Sequence, residues 1–190
     1  MSRKLSAEDE NPIDYLLYKI VEVLDPIFYK FNFTPNMITT LSLISGLTSA
    51  YYYYKNSLLC IPLYIIAYLL DGSDGYFARK HNMTSEFGDY YDHISDIVKG
   101  IIIVQLIYLK SKKYKRIIIL IIWILSLLMY YHLSLQELVY DKQDKSYVLN
   151  IFNKYIKLNK DNIRWSRYFG CGTFNLIIVI IMYLSINGKI

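Results

Sequence analysis

The stretch SLLCIPLYIIAYLLDGSDGYFARKHNMTSEFGDYYDHISD, residues 57–96, decides the fold because it joins an apolar run to a dense group of acids. Residues 57–70 carry no charged side chain, as expected of a segment that enters a lipid bilayer. Directly after them, six of the 16 acidic residues fall within residues 71–96. Each carboxylate at membrane depth costs roughly 2.5–3.5 kcal/mol. This placement therefore requires a chemical reason.

The rest of the chain repeats the apolar character of residues 57–70. Hydrophobic residues make up 54% of the 190 residues, and 21 tyrosines are present, a type favoured at membrane interfaces. The sequence predicts one all-α, integral membrane helical bundle, and nucleic acid is an unsuitable partner for such a surface. The predicted spans are 35–54, 57–79, 87–109, 116–134 and 168–187. Residues 135–167 are too charged to span and predict an extramembrane loop with an amphipathic helix.

The N-terminal region predicts helices that lie along the membrane rather than across it. Asn11-Pro12, Asp25-Pro26 and Thr34-Pro35 each combine a capping residue with a proline suited to the first helical turn. They predict helix starts at all three places, giving helices near 12–24 and 26–33 and the first span. The helix near 12–24 has apolar residues on one face and charges elsewhere, which is typical of an interfacial helix. We therefore divide the chain into a juxtamembrane region, 1–33, and a transmembrane domain, 34–190.

The acids of residues 71–96 fall on two helix faces. On a helix continuing past residue 70, Asp71 and Asp74 share a face with three further residues: Gly75, Ala78 and Arg79. On the next span, the residues that share a face are Gly88, Asp92 and Asp96. The turn at 80–86 is short, so we expect the two helices to be antiparallel neighbours whose acidic faces meet.

Facing carboxylates predict a multivalent cation, because they would otherwise repel one another. Oxygen ligands alone favour Mg²⁺ or Mn²⁺ over zinc. The small residues beside the acids leave room for a ligand, and Arg79 offers a fixed positive charge for phosphate. Spacing alone also allows a water-filled cavity or ion path lined by acids. Lys99, seven residues after Asp92, lies on the same side of its helix and is expected to neutralise part of the cluster.

Residues 71–96 fit the pattern D-x-x-D-G-x-x-A-R-x8-G-x-x-x-D-x-x-x-D without exception. This pattern resembles the signature of the CDP-alcohol phosphotransferase family, also called the class-I CDP-alcohol phosphatidyltransferases. The segment TPNMIT, 34–39, resembles the N-terminal PN-x-I/L-T element of the same family. The resemblance extends from about residue 12 to 187. The family usually has six spanning helices, whereas five are predicted here, unless residues 146–158 insert more deeply.

The resemblance implies transfer of the phosphoryl-linked group of a CDP-activated substrate to an alcohol, with release of CMP and the use of two divalent cations, Mg²⁺ or Mn²⁺. It implies that Asp96 is both a metal ligand and the general base. The other implied metal ligands are Asp71, Asp74 and Asp92. The implied CDP-binding residues are Asn36, Thr39, Gly75, Ala78, Arg79 and Gly88. Arg164 and Arg167, just before the last span, are candidates for binding the acceptor.

The short chain resembles enzymes that use CDP-diacylglycerol as donor and inositol or glycerol phosphate as acceptor. The D-H-x-x-D form of the motif, with His93, also resembles choline and ethanolamine phosphotransferases, which use diacylglycerol as acceptor. The expected partners are a CDP-activated lipid, an alcohol, the bilayer and a second copy in a homodimer. We expect the active site to face the cytosol, at the endoplasmic reticulum if the organism is eukaryotic. Alternatives are a prenyltransferase acting on diphosphates and a cation channel or transporter.

Overall fold

The computed structural model describes residues 6, 8–111, 113–140 and 158–190. Over these residues the chain is an all-α bundle without strands, as predicted. Short 3-10 turns flank the small helix α6. The helices are α1 (Pro12–Lys30), α2 (Pro35–Tyr54), α3 (Cys60–Lys80), α4 (Glu86–Lys110), α5 (Lys115–Tyr140), α6 (Ile163–Ser166) and α7 (Cys171–Ile186).

Two of the three predicted proline starts are confirmed. The Asn11 side chain caps α1 by accepting a hydrogen bond from the backbone N–H of Ile13 at 2.9 Å, and Thr34 caps α2 by accepting one from Met37. The predicted start at Asp25-Pro26 is wrong, because α1 continues through Pro26 to Lys30. The Asp25 carboxylate bonds to the end of α3 instead of capping a new helix.

The contact between Asp25 and α3 fixes α1 to the bundle. Asp25 has a side chain only 4% exposed, accepts a hydrogen bond from Lys80 Nζ at 2.5 Å and lies 3.0 Å from His81 Nε2. The His81 ring stacks on Tyr29 of α1, with 4.6 Å between ring centroids. Lys80 and His81 directly follow Arg79, so this contact holds α1 beside the motif at the end of α3.

We predict that Asp25→Asn lowers the thermal stability of the detergent-solubilised protein. The amide keeps the shape but loses the buried charge to which Lys80 and His81 are bonded, which is worth about 1–3 kcal/mol. Thermal unfolding followed by circular dichroism measures this change. Asp161→Asn, at an exposed position, is the matched control and should leave the midpoint unchanged. Equal midpoints for the Asp25 variant and the wild type would show that this contact does not secure α1.

Helix α2 packs against both α3 and α4, whereas α3 and α4, predicted to be antiparallel neighbours, make few direct backbone contacts with each other in the described residues. Small polar residues on α2 allow this close approach by bonding to backbone carbonyls of α3. Ser42 donates to the carbonyl of Ala67 at 2.9 Å, and Ser49 donates to that of Cys60 at 2.7 Å. This arrangement is typical of helix packing in membranes. It leaves the polar ends of α3 and α4 free to converge on a shared site.

The outer surface of the bundle is strongly apolar. On α5, Ile117, Leu120 and Trp123 are each more than half exposed. Within the described residues, two helical stretches are long and apolar enough to cross a membrane by length and composition, Lys115–Val139 and Lys160–Ile186. Helices α2, α3 and α4 have 20, 21 and 25 residues and coincide with predicted spans, but they carry more polar residues. An apolar exterior around a polar centre is the pattern of a membrane protein.

The segment predicted as an extramembrane loop, 135–167, is only partly described. Helix α5 continues to Tyr140, beyond the predicted end at 134, and residues 158–169 form turns and α6. The predicted amphipathic helix and the possible deeper insertion near 146–158 lie mainly outside the described residues. Buried His132 of α5 bonds to Ser166 Oγ at 2.9 Å, so the described end of this segment packs on α5.

Candidate metal and diphosphate site

Three carboxylates converge where α3 and α4 approach each other. Asp71 of α3 and Asp92 and Asp96 of α4 each offer an oxygen, and these oxygens lie within 4.8 Å of one another. Asp92 and Asp96 are four residues apart and therefore share a face of α4. The structure thus brings the predicted acidic faces together, although the two helices make few direct backbone contacts in the described residues. We call Asp71, Asp92 and Asp96 the carboxylate cluster.

The fourth motif acid, Asp74, lies outside this cluster. It is buried and accepts a hydrogen bond from Thr39 Oγ1 at 2.5 Å. Thr39 is itself buried, and its Oγ1 also lies 3.1 Å from the backbone carbonyl oxygen of Pro35. Thr39 therefore orients a motif carboxylate. Its predicted part in binding CDP stays a prediction.

Lys99 of α4 enters the carboxylate cluster, as its position in the sequence predicts. Its Nζ lies 2.8 Å from Asp71 Oδ1 and 2.8 Å from Asp96 Oδ1. It also donates to Ser42 Oγ on α2 at 2.7 Å. The ammonium therefore bridges three helices and offsets part of the negative charge that the cluster concentrates.

The residues present fit a hard divalent cation. The cluster supplies only carboxylate oxygens, which Mg²⁺ and Mn²⁺ prefer. Asp92 Oδ1 is buried and has no hydrogen-bond partner among the described residues. Such an orphaned acceptor is costly unless a ligand completes it. The cluster therefore has both the ligand type and the unfilled bonding capacity that a cation requires.

Arg79 provides a second group with unfilled bonding capacity. Its guanidinium folds back over Gly75, where a Cβ atom would lie 3.0 Å from Arg79 Nη1. The Nε atom of Arg79 is buried and unpartnered among the described residues. A glycine at 75 thus keeps space for the arginine, and the arginine keeps a donor for an anion such as phosphate.

The start of α4 meets the start of α2 at Gly88. A Cβ at Gly88 would lie 3.3 Å from Asn36 Oδ1, so the missing side chain permits this approach. Ser85 caps α4 by accepting the Gly88 N–H at 3.0 Å. Asn36 and Gly88, both predicted to bind CDP, therefore lie side by side.

Ala78, also predicted to bind CDP, lies half-buried one turn after Asp74 on α3.

Helix α1 closes one side of α3 next to the motif. Leu17 packs against Gly72, where a Cβ would lie 2.8 Å from Leu17 Cδ2. Asp14 accepts hydrogen bonds from the Tyr68 hydroxyl and, at 3.1 Å, from the Gly172 backbone N–H. Burial raises the pKa of Asp14 to about 6, although both hydrogen bonds act in the opposite direction. Helix α1 is therefore joined through one buried acid to α3 and α7.

Arg164 and Arg167 contact the N-terminal segment. Arg164 is highly exposed and lies 3.8 Å from Glu8, while Arg167 Nη1 donates to the Glu8 backbone carbonyl. The Arg167 carbonyl accepts a hydrogen bond from Asn11 Nδ2 at 2.7 Å. The hydrogen bonds of Arg167 join the N-terminal segment to the α6–α7 region, whereas the exposed ion pair of Arg164 contributes little. Acceptor binding by either one stays a prediction.

Sequence reasoning missed three residues that shape the site from other helices: Ser42, Gly46 and Asp25. Ser42 and Gly46 lie one turn apart on α2 and face Lys99. The series of small residues at 42, 45, 46 and 49 was a signal that α2 packs closely on its neighbours. No signal in the sequence assigned Asp25 to Lys80 and His81, which are more than 50 residues away.

A comparison with known families now decides the classification. The model of the CDP-alcohol phosphatidyltransferase family matches residues 32–188, which includes α2, α3, α4 and the carboxylate cluster. The chain belongs to this family. Members of the family are phosphotransferases, and the resemblance predicted from residues 71–96 is confirmed.

Two similar proteins align over shorter stretches. One is an uncharacterized protein of Aquifex aeolicus, 38% identical over 79 residues, or 40% of each chain. The other is a CDP-diacylglycerol–serine O-phosphatidyltransferase of Helicobacter pylori, 38% identical over 66 residues. That alignment covers 34% of this chain and 27% of the relative. The chain thus matches less than half the length of either curated relative, and no solved structure matches it significantly.

Proposed function

We propose that this protein is a phospholipid-synthesising enzyme that transfers a phosphatidyl group from CDP-diacylglycerol to the hydroxyl of an alcohol and releases CMP. The observation that carries this proposal is the convergence of Asp71, Asp92 and Asp96 within 4.8 Å, inside a complete family motif. Family membership and the Helicobacter relative, whose name specifies a CDP-diacylglycerol donor, support the donor class.

In this proposal, Asp71, Asp74, Asp92 and Asp96 hold two divalent cations, Mg²⁺ or Mn²⁺. When bound, such ions neutralise charge that develops on the departing CMP. Asp74 reaches this role by releasing the hydrogen bond from Thr39 or by sharing its other oxygen. Arg79 donates to the diphosphate through its unpartnered Nε–H and its terminal nitrogens. Asn36, Thr39, Gly75, Ala78 and Gly88 line the space for the cytidine and the phosphates.

Asp96 is the proposed general base. Its side chain is 46% exposed, more than that of Asp71 at 22%, so it is the carboxylate that an incoming alcohol can reach. A carboxylate oxygen within hydrogen-bond reach accepts the proton of the hydroxyl as its oxygen attacks the β-phosphorus of the donor. The bond from that phosphorus to the oxygen of CMP then breaks, and CMP leaves with the bonding electron pair.

The apolar surface around the site allows a donor with acyl chains to approach from the bilayer while its cytidine head remains in a polar region. We propose that the site lies on the cytosolic side, where the alcohol and the released CMP are dissolved. We propose inositol or glycerol phosphate as the acceptor class, with a free hydroxyl as the shared chemistry. The Helicobacter relative makes serine a further acceptor to test.

The decisive experiment measures CMP release by purified protein in detergent or liposomes. CDP-diacylglycerol is supplied with Mg²⁺ or Mn²⁺ and, separately, with inositol, inositol phosphate, glycerol phosphate or serine. We expect CMP and one new phospholipid with one acceptor, and no CMP after EDTA treatment. Re-addition of Mn²⁺ to the EDTA-treated sample should restore turnover.

Three outcomes overturn parts of the proposal. CMP release from CDP-choline or CDP-ethanolamine with diacylglycerol, but not from CDP-diacylglycerol, would assign the chain to the amino-alcohol branch. Cation flux through protein-containing liposomes, without CMP from any donor, would favour a channel or transporter lined by the acids. EDTA-resistant turnover would contradict the role proposed for the carboxylate cluster.

A further inference from the structure

Lys99 has a dedicated place in the bundle. A Cβ at Gly46 of α2 would lie 2.7 Å from Lys99 Cδ and 2.9 Å from Lys99 Cγ. The aliphatic part of the Lys99 side chain therefore crosses α2 at a position where the residue has no side chain. The side chain is 12% exposed, and its ammonium contacts Ser42, Asp71 and Asp96 at 2.7–2.8 Å. A buried lysine held by three oxygens is positioned by the fold rather than by chance contact.

The position of the ammonium affects the charge available to cations. When ionised, the four proposed ligands Asp71, Asp74, Asp92 and Asp96 carry four negative charges, and the Lys99 ammonium beside Asp71 and Asp96 reduces the sum to three. One divalent cation then leaves a single negative charge. A second cation would leave an excess of one positive charge until another anion arrives. These charges are close together and shielded from bulk water, so their interactions are strong. A difference of one charge therefore changes the affinity for a divalent cation strongly.

We propose that Lys99 is a built-in counter-cation that allows one divalent ion to bind tightly without donor and makes tight binding of the second depend on the anionic diphosphate. This inference rests on the proposed function, since it concerns the same site. It adds an order of binding: the first cation binds before the donor, and the diphosphate of the donor then completes the site for the second cation. Lys99 is a positioning residue in this scheme, because it acts through Asp71 and Asp96.

The test is a Mn²⁺ titration of the purified protein, followed by electron paramagnetic resonance, with and without CDP as an unreactive diphosphate. Wild-type protein should bind one Mn²⁺ tightly alone and two in the presence of CDP. In Lys99→Met, the second Mn²⁺ should bind at least about tenfold more tightly without CDP, because the cluster retains one more negative charge. Lys110→Met is the matched control on the same helix and should follow the wild-type titration.

Thermal unfolding gives a second, independent measurement. In EDTA, Lys99→Met should unfold at a lower temperature than the wild type, because the carboxylates lose their counter-charge, and Mn²⁺ should remove most of that difference. Lys110→Met also loses contacts, to Asn56 and the Tyr54 carbonyl, but its deficit should be the same with EDTA or Mn²⁺. If Lys99→Met does not fold, Lys99→Gln keeps a donor for Ser42 and removes the charge.

A double substitution tests the pathway of the lysine stem. Gly46→Ala should displace Lys99 and weaken its contacts, so that it reproduces part of the Lys99→Met effect on Mn²⁺ binding. In the Lys99→Met background the more flexible thioether gives way, so Gly46→Ala should then change Mn²⁺ affinity little. Additive effects would contradict a shared mechanism.

The outcomes separate the inference from the function on which it rests. If CMP is released but Lys99→Met and the wild type show the same Mn²⁺ titration, the inference is wrong and the enzyme assignment stands. Two equally tight Mn²⁺ ions in wild-type protein without CDP also overturn it. If no Mn²⁺ binds with or without CDP and no donor yields CMP, the proposed function itself is wrong.

Discussion

Asp96→Asn is expected to reduce turnover by about a thousandfold or more while the protein remains folded. An amide cannot accept the proton of the attacking hydroxyl, and general-base catalysis typically contributes about 10²–10⁴ to the rate. The amide also weakens one proposed metal ligand, which adds to the loss. The variant should unfold near the wild-type temperature, because Asp96 is 46% exposed and its described ion pair is with Lys99.

The measurement is CMP release at saturating Mn²⁺, so that weaker metal binding does not limit the rate. Asp89→Asn is the matched control, since Asp89 is an acid on the same helix outside the carboxylate cluster. It should retain most of the activity. Asp96→Glu should recover part of the lost turnover, because the base is restored at a shifted position. Normal turnover by Asp96→Asn would show that another group accepts the proton.

The parts of the site that depend on local sequence were predictable. Residues that recur every three or four positions must share a helix face. This rule placed Asp92 on the same face as Asp96, and it placed Asp71 on the same face as Arg79. The capping residues Asn11 and Thr34, each followed by proline, located the starts of α1 and α2. The short segment after Arg79 required α3 and α4 to approach each other at one end, and the carboxylate cluster lies there.

The parts that depend on distant packing were not predictable. The sequence around Asp25-Pro26 favours a new helix, but the Asp25 carboxylate is bonded to Lys80 and His81, so its capping capacity is already used. Likewise, a short turn between α3 and α4 suggests direct packing. The small residues of α2 instead bring that helix close to α3, because Ser42 and Ser49 donate hydrogen bonds to its backbone carbonyls.

Lys99 illustrates both cases. Its position seven residues after Asp92 predicted that it would lie near the acids, and its ion pairs confirm this. The passage of its stem beside Gly46 depends on how closely α2 approaches α4, which no spacing within α4 encodes. The helical period therefore identifies which charged side chains lie close together. The packing of the neighbouring helix determines which of those side chains can still bind a ligand.

Asp92→Asn is expected to abolish the stabilisation of the protein by Mn²⁺ and to lower turnover by about a hundredfold or more, comparable to the loss of a metal-orienting group. In EDTA, however, the variant should be at least as stable as the wild type. Asp92 Oδ1 is buried without a partner among the described residues, so the substitution breaks no hydrogen bond at that atom. It also removes one of three mutually repelling charges in the cluster.

Asp74→Asn is the informative comparison, because Asp74 already has a hydrogen-bond partner in the protein, Thr39. Loss of its charge weakens the 2.5 Å bond from Thr39, so this variant should unfold at a lower temperature than the wild type even in EDTA. Differential scanning fluorimetry of both variants, in EDTA and in a Mn²⁺ series, distinguishes the two cases. A marked loss of stability for Asp92→Asn in EDTA would mean that Asp92 serves the fold, because an acid reserved for a cation contributes nothing until the cation binds.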